Sequence, residues 1–354
     1  MKKLLFATCC IAFLSGSLGA AAQKKSAAKN VLTQTLKGKS WSADNGNGTF
    51  TNPLFYDEFS DPDIIRVGED YYLAGTTMHS VPGLVVLHSK DLVNWEFSSY
   101  CFDRFDDSDD FNLRNGKEAY GQGIWAPAIR YHNGKFYIFS NINGHGLQVY
   151  ISDSAKGPWT HHKVNGDIYD LSVLFDEDGK IYAVHKYGNV TVTELKPDLS
   201  GPVEGSSKVV IPEGNAMGEG HHVYKINGMY YILSADYSPM GRMQCARSKS
   251  IWGPYETCVI SERESYGYAA GWSVGNMGIG RPLPEDGFNF QNNKPNGLNL
   301  GCATIHQGGI VQAPDGKWWG VSMQDFNAVG RTVCLSPITW VDGWPYFGLE
   351  KNLG

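Results

Sequence analysis

The chain has 354 residues, a formal net charge of −6, 42 glycines and an aromatic content of 13%. This length is sufficient for a substantial hydrophobic core. The acidic balance, without a basic patch, argues against nucleic acid as a partner. The apolar run near the start is too short to span a membrane, so membrane insertion is not expected.

The first residues have the pattern of a secretory signal peptide. Two lysines after the initiator methionine precede an apolar run over 4–14, and small residues follow up to Ala22. This pattern predicts a signal peptide over 1–22, and its cleavage changes the formal charge from −6 to −8 by removing both lysines. We therefore expect a secreted or periplasmic protein. The polar, aperiodic residues 23–50 predict a flexible leader.

From residue 51 onward, a turn glycine followed by an apolar run rich in aromatic residues occurs five times. The five glycines are Gly68, Gly134, Gly179, Gly228 and Gly316. Their spacings of 66, 45, 49 and 88 residues fit a repeated four-stranded unit of roughly 40–50 residues with inserted loops. No sustained helical periodicity is present. The sequence predicts an all-β fold, a five-bladed β-propeller over 51–347, with 348–354 as a tail.

Five residues stand seven to ten positions before these glycines, where the innermost strand of each blade begins. They are Asp61, Trp125, Asp170, Glu219 and His306. Three carboxylates in matching register repel one another, which costs stability unless they serve a function. Hydrolysis of a glycosidic bond needs one carboxyl to protonate the leaving oxygen and another to activate water or attack the sugar. A third carboxylate would keep the proton donor protonated near neutral pH.

Several short segments around these positions carry a family pattern. They are Phe59-Ser60-Asp61-Pro62-Asp63-Ile64, Trp125-Ala126-Pro127, Asp170-Leu171-Ser172, Glu219-Gly220-His221-His222 and Gly330-Arg331. With them, the chain from about Asn52 to Trp344 resembles glycoside hydrolase family 43, whose five-bladed propellers include arabinofuranosidases, xylosidases and arabinanases. His221 departs from the family pattern, in which proline or serine is more usual.

The resemblance implies roles for individual residues. Asp61 corresponds to the general base, Glu219 to the general acid and Asp170 to the aspartate that raises the pKa of the acid and orients it. The substrate-binding positions that it implies are Trp125, His306 and Arg331.

The resemblance also implies an inverting reaction that releases arabinose or xylose units from plant cell-wall polysaccharides or oligosaccharides. It implies no required cofactor, and a structural calcium ion on the propeller axis, with His306 as a ligand, stays an open alternative. Many relatives continue into a C-terminal β-sandwich, which this sequence does not include.

Other functions and features stay open at this stage. A non-catalytic carbohydrate-binding propeller, an endo-acting arabinanase and a phosphorylase are the alternative functions, and the last would need a cluster of basic residues for phosphate. Two insertions, 104–123 and 281–300, interrupt the repeat. Cys245 and Cys258 flank one predicted hairpin, where they either pair or serve as small buried residues.

Overall fold

A computed structural model describes residues 41–78, 81–105, 108–119, 121–215, 217–236, 242–261, 307–325 and 330–349. The regular structure in these ranges consists of β-strands. They contain no helix long and apolar enough to cross a membrane.

The described residues form twenty strands in five antiparallel sheets, each made of four strands that are consecutive in the chain. Blade 1 contains β1 (Ser60–Val67), β2 (Asp70–Thr76), β3 (Gly83–Ser89) and β4 (Trp95–Phe102). Blade 2 contains β5 (Ile124–His132), β6 (Lys135–Ile142), β7 (Gly146–Ser152) and β8 (Thr160–Lys163). Blade 3 contains β9 (Ser172–Phe175), β10 (Ile181–His185), β11 (Val190–Leu195) and β12 (Lys208–Ile211). Blade 4 contains β13 (Glu219–Ile226), β14 (Met229–Asp236), β15 (Arg242–Ser248) and β16 (Glu256–Val259). Blade 5 contains β17 (Ile310–Gln312), β18 (Trp318–Asp325), β19 (Arg331–Val341) and β20 (Trp344–Phe347). The predicted five-bladed propeller is confirmed.

The glycines that defined the repeat lie in the turns between the first and second strands of the blades. All five have a positive φ, between 64° and 86°. Glycine adopts this left-handed conformation without steric cost, which explains why it recurs at this turn.

The hydrophobic core lies between the blades. Between blades 5 and 1, for example, Ile64 and Leu73 pack with Val321 and Val333, all of them buried. Burying a side chain of this kind contributes about 1.5–3 kcal/mol. The tryptophans that enter the outer strands pack against these clusters; they are Trp95, Trp159 and Trp252.

The segment before β1 closes the ring by pairing with blade 5. The side chain of Asn52 makes two hydrogen bonds with the backbone of Leu335, donating to its carbonyl at 2.9 Å and accepting from its N–H at 2.9 Å. The N–H of Leu54 donates to the carbonyl of Val333 at 2.8 Å. Ala43 is buried in the same cluster, so the packed unit begins at Ala43, before the boundary at residue 50 that the sequence predicted.

Cys245 and Cys258 are direct partners across β15 and β16. Both are free thiols, and the sulfur of Cys258 lies 3.3 Å from the hydroxyl of Tyr346. Several sequence predictions lie outside the described residues, wholly or in part. They are the signal peptide at 1–22, most of the leader at 23–50, part of the insertion at 104–123, the insertion at 281–300, His306 and most of the tail at 348–354.

Asn52→Ala tests the closure of the ring. The substitution removes both side-chain bonds and leaves the N–H and carbonyl of Leu335 without those partners, and each buried polar group left unsatisfied costs about 1–3 kcal/mol. We expect urea denaturation to show a loss of about 2–4 kcal/mol in the free energy of unfolding. Asn45→Ala, which removes an exposed local hydrogen bond to Thr49, is the control. Equal losses in the two variants would contradict the closure by Asn52.

Candidate active site

One extra residue interrupts strand pairing at the start of the first strand in four blades. The interrupted segments are Ser60–Asp63, Ile124–Pro127, Tyr169–Ser172 and Glu219–His222. Each of them advances three residues while the neighbouring strand advances two, which is the geometry of a β-bulge. Bulges change the direction of a side chain, and the segments of blades 1, 3 and 4 carry the three acids Asp61, Asp170 and Glu219, while the segment of blade 2 carries Trp125.

The bulges show that the register predicted for Glu219 is wrong by one residue. Asp61 and Asp170 are the second residues of their bulges and have positive φ angles of 53° and 50°. In blade 4 this position belongs to Gly220, with a φ of 66°, and Glu219 lies one residue earlier. A Cβ atom on Gly220 would lie 2.5 Å from the side chain of Gln307, so both the backbone angle and the space require glycine here.

Asp61 is held by groups from blades 1 and 5. The hydroxyl of Ser60 donates to Oδ2 of Asp61 at 2.8 Å. Nη1 of Arg331 lies 3.3 Å from Oδ1 of Asp61 and donates to Oγ of Ser60 at 2.9 Å. The structure therefore brings Arg331 to Asp61, while 33% of the arginine side chain is still exposed to a ligand.

Asp170 is anchored to blades 2 and 4. Its Oδ2 accepts the backbone N–H of Gly220 at 2.7 Å, directly beside Glu219. Its own N–H donates to Oδ1 of Asn141 at 3.1 Å, and Nδ2 of Asn141 donates to the carbonyl of Ile168 at 2.8 Å. Asn141 thereby holds the segment before β9, a role that the sequence analysis did not detect.

Glu219 is half-buried and meets an aromatic pair. The hydroxyl of Tyr169 donates to Oε2 of Glu219 at 3.1 Å. The ring of Trp125 packs edge to face on Tyr169, with 5.9 Å between the centroids. Trp125 therefore adjoins the site through Tyr169, a residue that the sequence analysis missed. Tyr169 is the first residue of its bulge segment, as Ser60 and Glu219 are of theirs, and this shared position is the signal that could have identified it.

His221, the departure from the family pattern, has a structural position between blades 3 and 4. It is buried, with Nδ1 2.6 Å from the hydroxyl of Ser234 and Nε2 2.7 Å from the carbonyl of Lys186. Burial lowers the pKa of His221 to about 4, so the ring is neutral at physiological pH. Because the N–H of Lys186 donates to the carbonyl of Tyr169, His221 supports the Tyr169 backbone indirectly.

The three carboxyl groups influence one another electrostatically. Burial, followed by the charges of Glu219 and Asp61, raises the pKa of Asp170 to about 8. Burial also raises the pKa of Glu219, with the charge of Asp61 adding to the effect and the Tyr169 hydrogen bond opposing it. Asp170 and Glu219 therefore retain a proton between them near neutral pH.

A metal centre has no support from the described side chains. Within those ranges, no group of three or more histidine, cysteine or acidic residues could hold a metal ion. His306, the proposed ligand, lies outside them. The axial calcium ion therefore stays a prediction.

Known proteins resemble this chain in both sequence and structure. Residues 50–267 match the profile of glycosyl hydrolases family 43. A non-reducing end alpha-L-arabinofuranosidase of Bacteroides ovatus is 34% identical over 318 residues, which is 85% of this chain and 54% of that protein. A beta-xylosidase of Formosa agariphila is 29% identical over 370 residues, or 93% of this chain and 56% of that protein. A solved structure described as "Bifunctional GH43-CE", from Bacteroides eggerthii, superposes with a TM-score of 0.69 at 33% identity and covers 85% of this chain and 35% of that one.

The closed propeller, its clustered carboxylates and these relatives place the chain among the propeller-type glycoside hydrolases. It belongs to glycosyl hydrolases family 43. The chain spans about half the length of the curated relatives it matches.

Asp170→Asn tests the electrostatics of the cluster. The pKa of Asp170 is about 8 in the folded state, against 3.8 for an ordinary aspartate. The folded state therefore binds more protons between these pH values, and its stability falls as the pH rises through them. Asparagine does not ionise, yet it keeps an oxygen for the N–H of Gly220. We expect Asp170→Asn to be more stable than the wild type at pH 9, by on the order of 2–5 kcal/mol at about 1.36 kcal/mol per pKa unit.

Urea denaturation at pH 4 and pH 9 measures this difference, which should nearly vanish at the lower pH. Asp153→Asn, at an exposed carboxyl paired with Lys135, is the control and should show no comparable gain at pH 9. A difference between Asp170→Asn and the wild type that is the same at both pH values would rule out the raised pKa.

Proposed function

We propose that this chain is an exported, inverting glycoside hydrolase that releases arabinose or xylose units from plant cell-wall polysaccharides or oligosaccharides. The observation that carries the proposal is the convergence of Asp61, Asp170 and Glu219, from three blades, in one buried cluster beside Arg331. A propeller that only binds sugar has no use for acids that raise one another's pKa. The relatives named as a beta-xylosidase and an arabinofuranosidase support the pentose substrate.

Glu219 is the proposed general acid. It is the most exposed of the three carboxyl groups, whereas Asp61 and Asp170 are 6% and 8% exposed. A ligand that approaches the three carboxyl groups from solvent can therefore reach Glu219 most directly. Burial raises its pKa, which favours the protonated form that can supply a proton to the leaving oxygen.

Asp61 is the proposed general base. Ser60 and Arg331 both contact its carboxylate and fix its orientation in blade 1. In an inverting reaction this carboxylate takes a proton from water as the water oxygen bonds to the anomeric carbon. The glycosidic bond breaks on the opposite face, and the leaving oxygen takes the proton of Glu219.

Asp170 is proposed to tune the acid. Its carboxyl group accepts the N–H that directly follows Glu219, so the two acids lie side by side. Whenever Asp170 gives up its proton, its negative charge opposes the ionisation of Glu219, so the proton that the pair retains stays available to the acid.

Three measurements test the proposal as a whole. Release of p-nitrophenol from α-L-arabinofuranoside and β-xyloside tests the activity. The anomer that NMR first detects tests inversion, and cell fractionation tests export. If neither glycoside is cleaved, and arabinan, arabinoxylan and xylo-oligosaccharides also yield no sugar, the proposed activity fails.

Glu219→Gln should discriminate between leaving groups. Without a proton donor, the loss is severe for alkyl or sugar leaving groups, whereas activated aryl groups leave with little help. We expect kcat to fall about 10²–10⁴-fold on xylo- or arabino-oligosaccharides and much less on a 2,4-dinitrophenyl glycoside. Steady-state kinetics over a series of aryl leaving groups measures the dependence. A uniform loss across the series would exclude Glu219 as the acid.

Asp61→Asn should be inactive whatever the leaving group, because the attacking water then lacks its base. We expect a loss of at least about 10²-fold in kcat on both oligosaccharides and activated aryl glycosides. Added azide should restore turnover of the activated substrate and produce a glycosyl azide of inverted configuration, detected by NMR. Near-normal hydrolysis of the aryl glycoside without azide would refute this assignment.

A further inference from the structure

Directly after the bulges, a second layer of residues lies around the propeller axis. In blades 1 to 4 this layer is formed by the last residue of each bulge segment. These residues are Asp63, Pro127, Ser172 and His222. In blade 5 the corresponding position is Gly309, whose carbonyl accepts the N–H of Val321. The polar residues of this layer are buried: Asp63 and Ser172 are each 1% exposed, and His222 is 5% exposed.

Asp63 connects three blades within this layer. Its Oδ1 lies 3.0 Å from Nδ1 of His222 in blade 4. Its Oδ2 lies 2.6 Å from Nη1 of Arg130 in blade 2 and accepts the N–H of Ile129 at 2.9 Å. An ionised carboxylate only accepts hydrogen bonds, so Nδ1 of His222 carries the proton in this contact.

Arg130 and Ser172 extend the network to blade 3. The guanidinium of Arg130 donates to the hydroxyl of Ser172 and to the carbonyl of Val173. The oxygen of Ser172 also accepts the N–H of Val223 in blade 4 at 3.0 Å. The network therefore joins β1, β9 and β13, the strands at whose starts Asp61, Asp170 and Glu219 lie.

Blade 5 leaves room for the contact between blades 1 and 4. A Cβ atom on Gly309 would lie 3.3 Å from both Oδ1 of Asp63 and Nδ1 of His222, and 2.5 Å from the hydroxyl of Tyr224. That hydroxyl accepts the N–H of Ile310 at 2.9 Å, which connects blade 5 to the same layer.

The network is electrostatically matched despite its burial. Burial opposes ionisation of Asp63, yet Arg130 and His222 together hold its pKa below the usual value. Removal of one partner from a buried ionic network is strongly destabilising, because the remaining charge loses its compensation. Such a network therefore permits only a narrow range of distances between the strands it joins.

We propose that Asp63, His222 and Arg130 are positioning residues that set the separation between the carboxyl groups of Asp61 and Glu219. Asp63 follows Asp61 by two residues and His222 follows Glu219 by three, each across a bulge. The contact between Asp63 and His222 therefore fixes the two bulges relative to each other. This inference rests on the proposed function, because the separation matters only if the two carboxyl groups act on one bond.

His222→Ala and His222→Asn test the inference as a pair. Alanine removes the donor to Asp63, whereas the amide of asparagine can replace Nδ1. A displacement of about 1 Å can cost about 10²-fold in rate, so we expect kcat of His222→Ala to fall about 10–100-fold with KM within about threefold of wild type. His222→Asn should recover most of the rate. Equal rates in both variants, or a wild-type kcat in His222→Ala, would overturn the inference.

Tyr230→Phe is the matched control. The Tyr230 hydroxyl donates to Oδ2 of Asp176 at 2.6 Å, a buried hydrogen bond between blades 3 and 4 that is not part of the axial network. Its removal should lower the melting temperature and leave kcat unchanged. If Tyr230→Phe reduces kcat as much as His222→Ala does, the effect is general destabilisation and the positioning role is wrong.

Two further measurements test the inference. The first, on activity, applies if His222→Ala does not fold; the second, on structure, also applies if the wild type does not hydrolyse glycosides. Ser172→Ala removes only the hydroxyl that joins Arg130 to Val223, and should reduce kcat about 3–10-fold, within the range expected for a displaced catalytic group. Crystal structures of wild type, His222→Asn and Ser172→Ala measure the separation between the carboxyl groups of Asp61 and Glu219 without any substrate. A shift of at least about 0.5 Å in Ser172→Ala, with the wild-type value in His222→Asn, supports the inference. An unchanged separation in Ser172→Ala overturns it, and an inactive wild type would refute only the proposed function.

Discussion

The one-residue bulge at the inner end of a blade is the constraint on which this site depends. A regular strand would alternate its side chains between two faces, and no two consecutive polar groups could face the axis. The bulge breaks this alternation between Ser60 and Asp63 in blade 1, where Asp61 contacts Arg331 and Asp63 contacts Arg130. Blade 4 repeats the arrangement with Glu219 and His222. The two polar layers are therefore products of one backbone irregularity.

The two layers differ in their charge balance, and the difference follows from their partners. In the layer of Asp61, Asp170 and Glu219, three acids lie near one arginine, and the pKa values of Asp170 and Glu219 are raised. In the second layer, Asp63 contacts both Arg130 and His222, and its pKa is lowered. Where acids outnumber their cationic partners, as at Asp170 and Glu219, the pKa values rise and a proton is retained. Where a carboxylate has enough partners that favour its charge, as Asp63 has, it stays ionised and links the strands that carry those partners. Residues two or three positions apart thus have opposite electrostatic environments.

Much of the fold and part of the site could be predicted from the sequence. The five turn glycines are recognisable because their position requires a positive φ, so the blade count and the starts of the inner strands were predictable. The register of Glu219 was wrong by one residue, because the number of residues between the bulge and the turn glycine differs from blade to blade and cannot be counted from the sequence. Tyr169 and Asn141 were missed since each acts on a residue of another blade. Arg130 was missed for the same reason, as its partners are 42 to 67 residues away in sequence.

The closure of the ring has a consequence for ligand binding. Asn52 and Leu54 attach the chain's first packed segment to β19, and β19 begins with Arg331, which contacts Asp61. A sugar held against Arg331 and Asp61 would thus bridge both sides of the seam where the ring is joined. Release of the first segment would loosen the junction between blade 1 and blade 5 that carries these two residues, so a sugar bound across them would oppose that release by mass action. Protection of residues 43–59 from proteolysis would then increase with sugar occupancy.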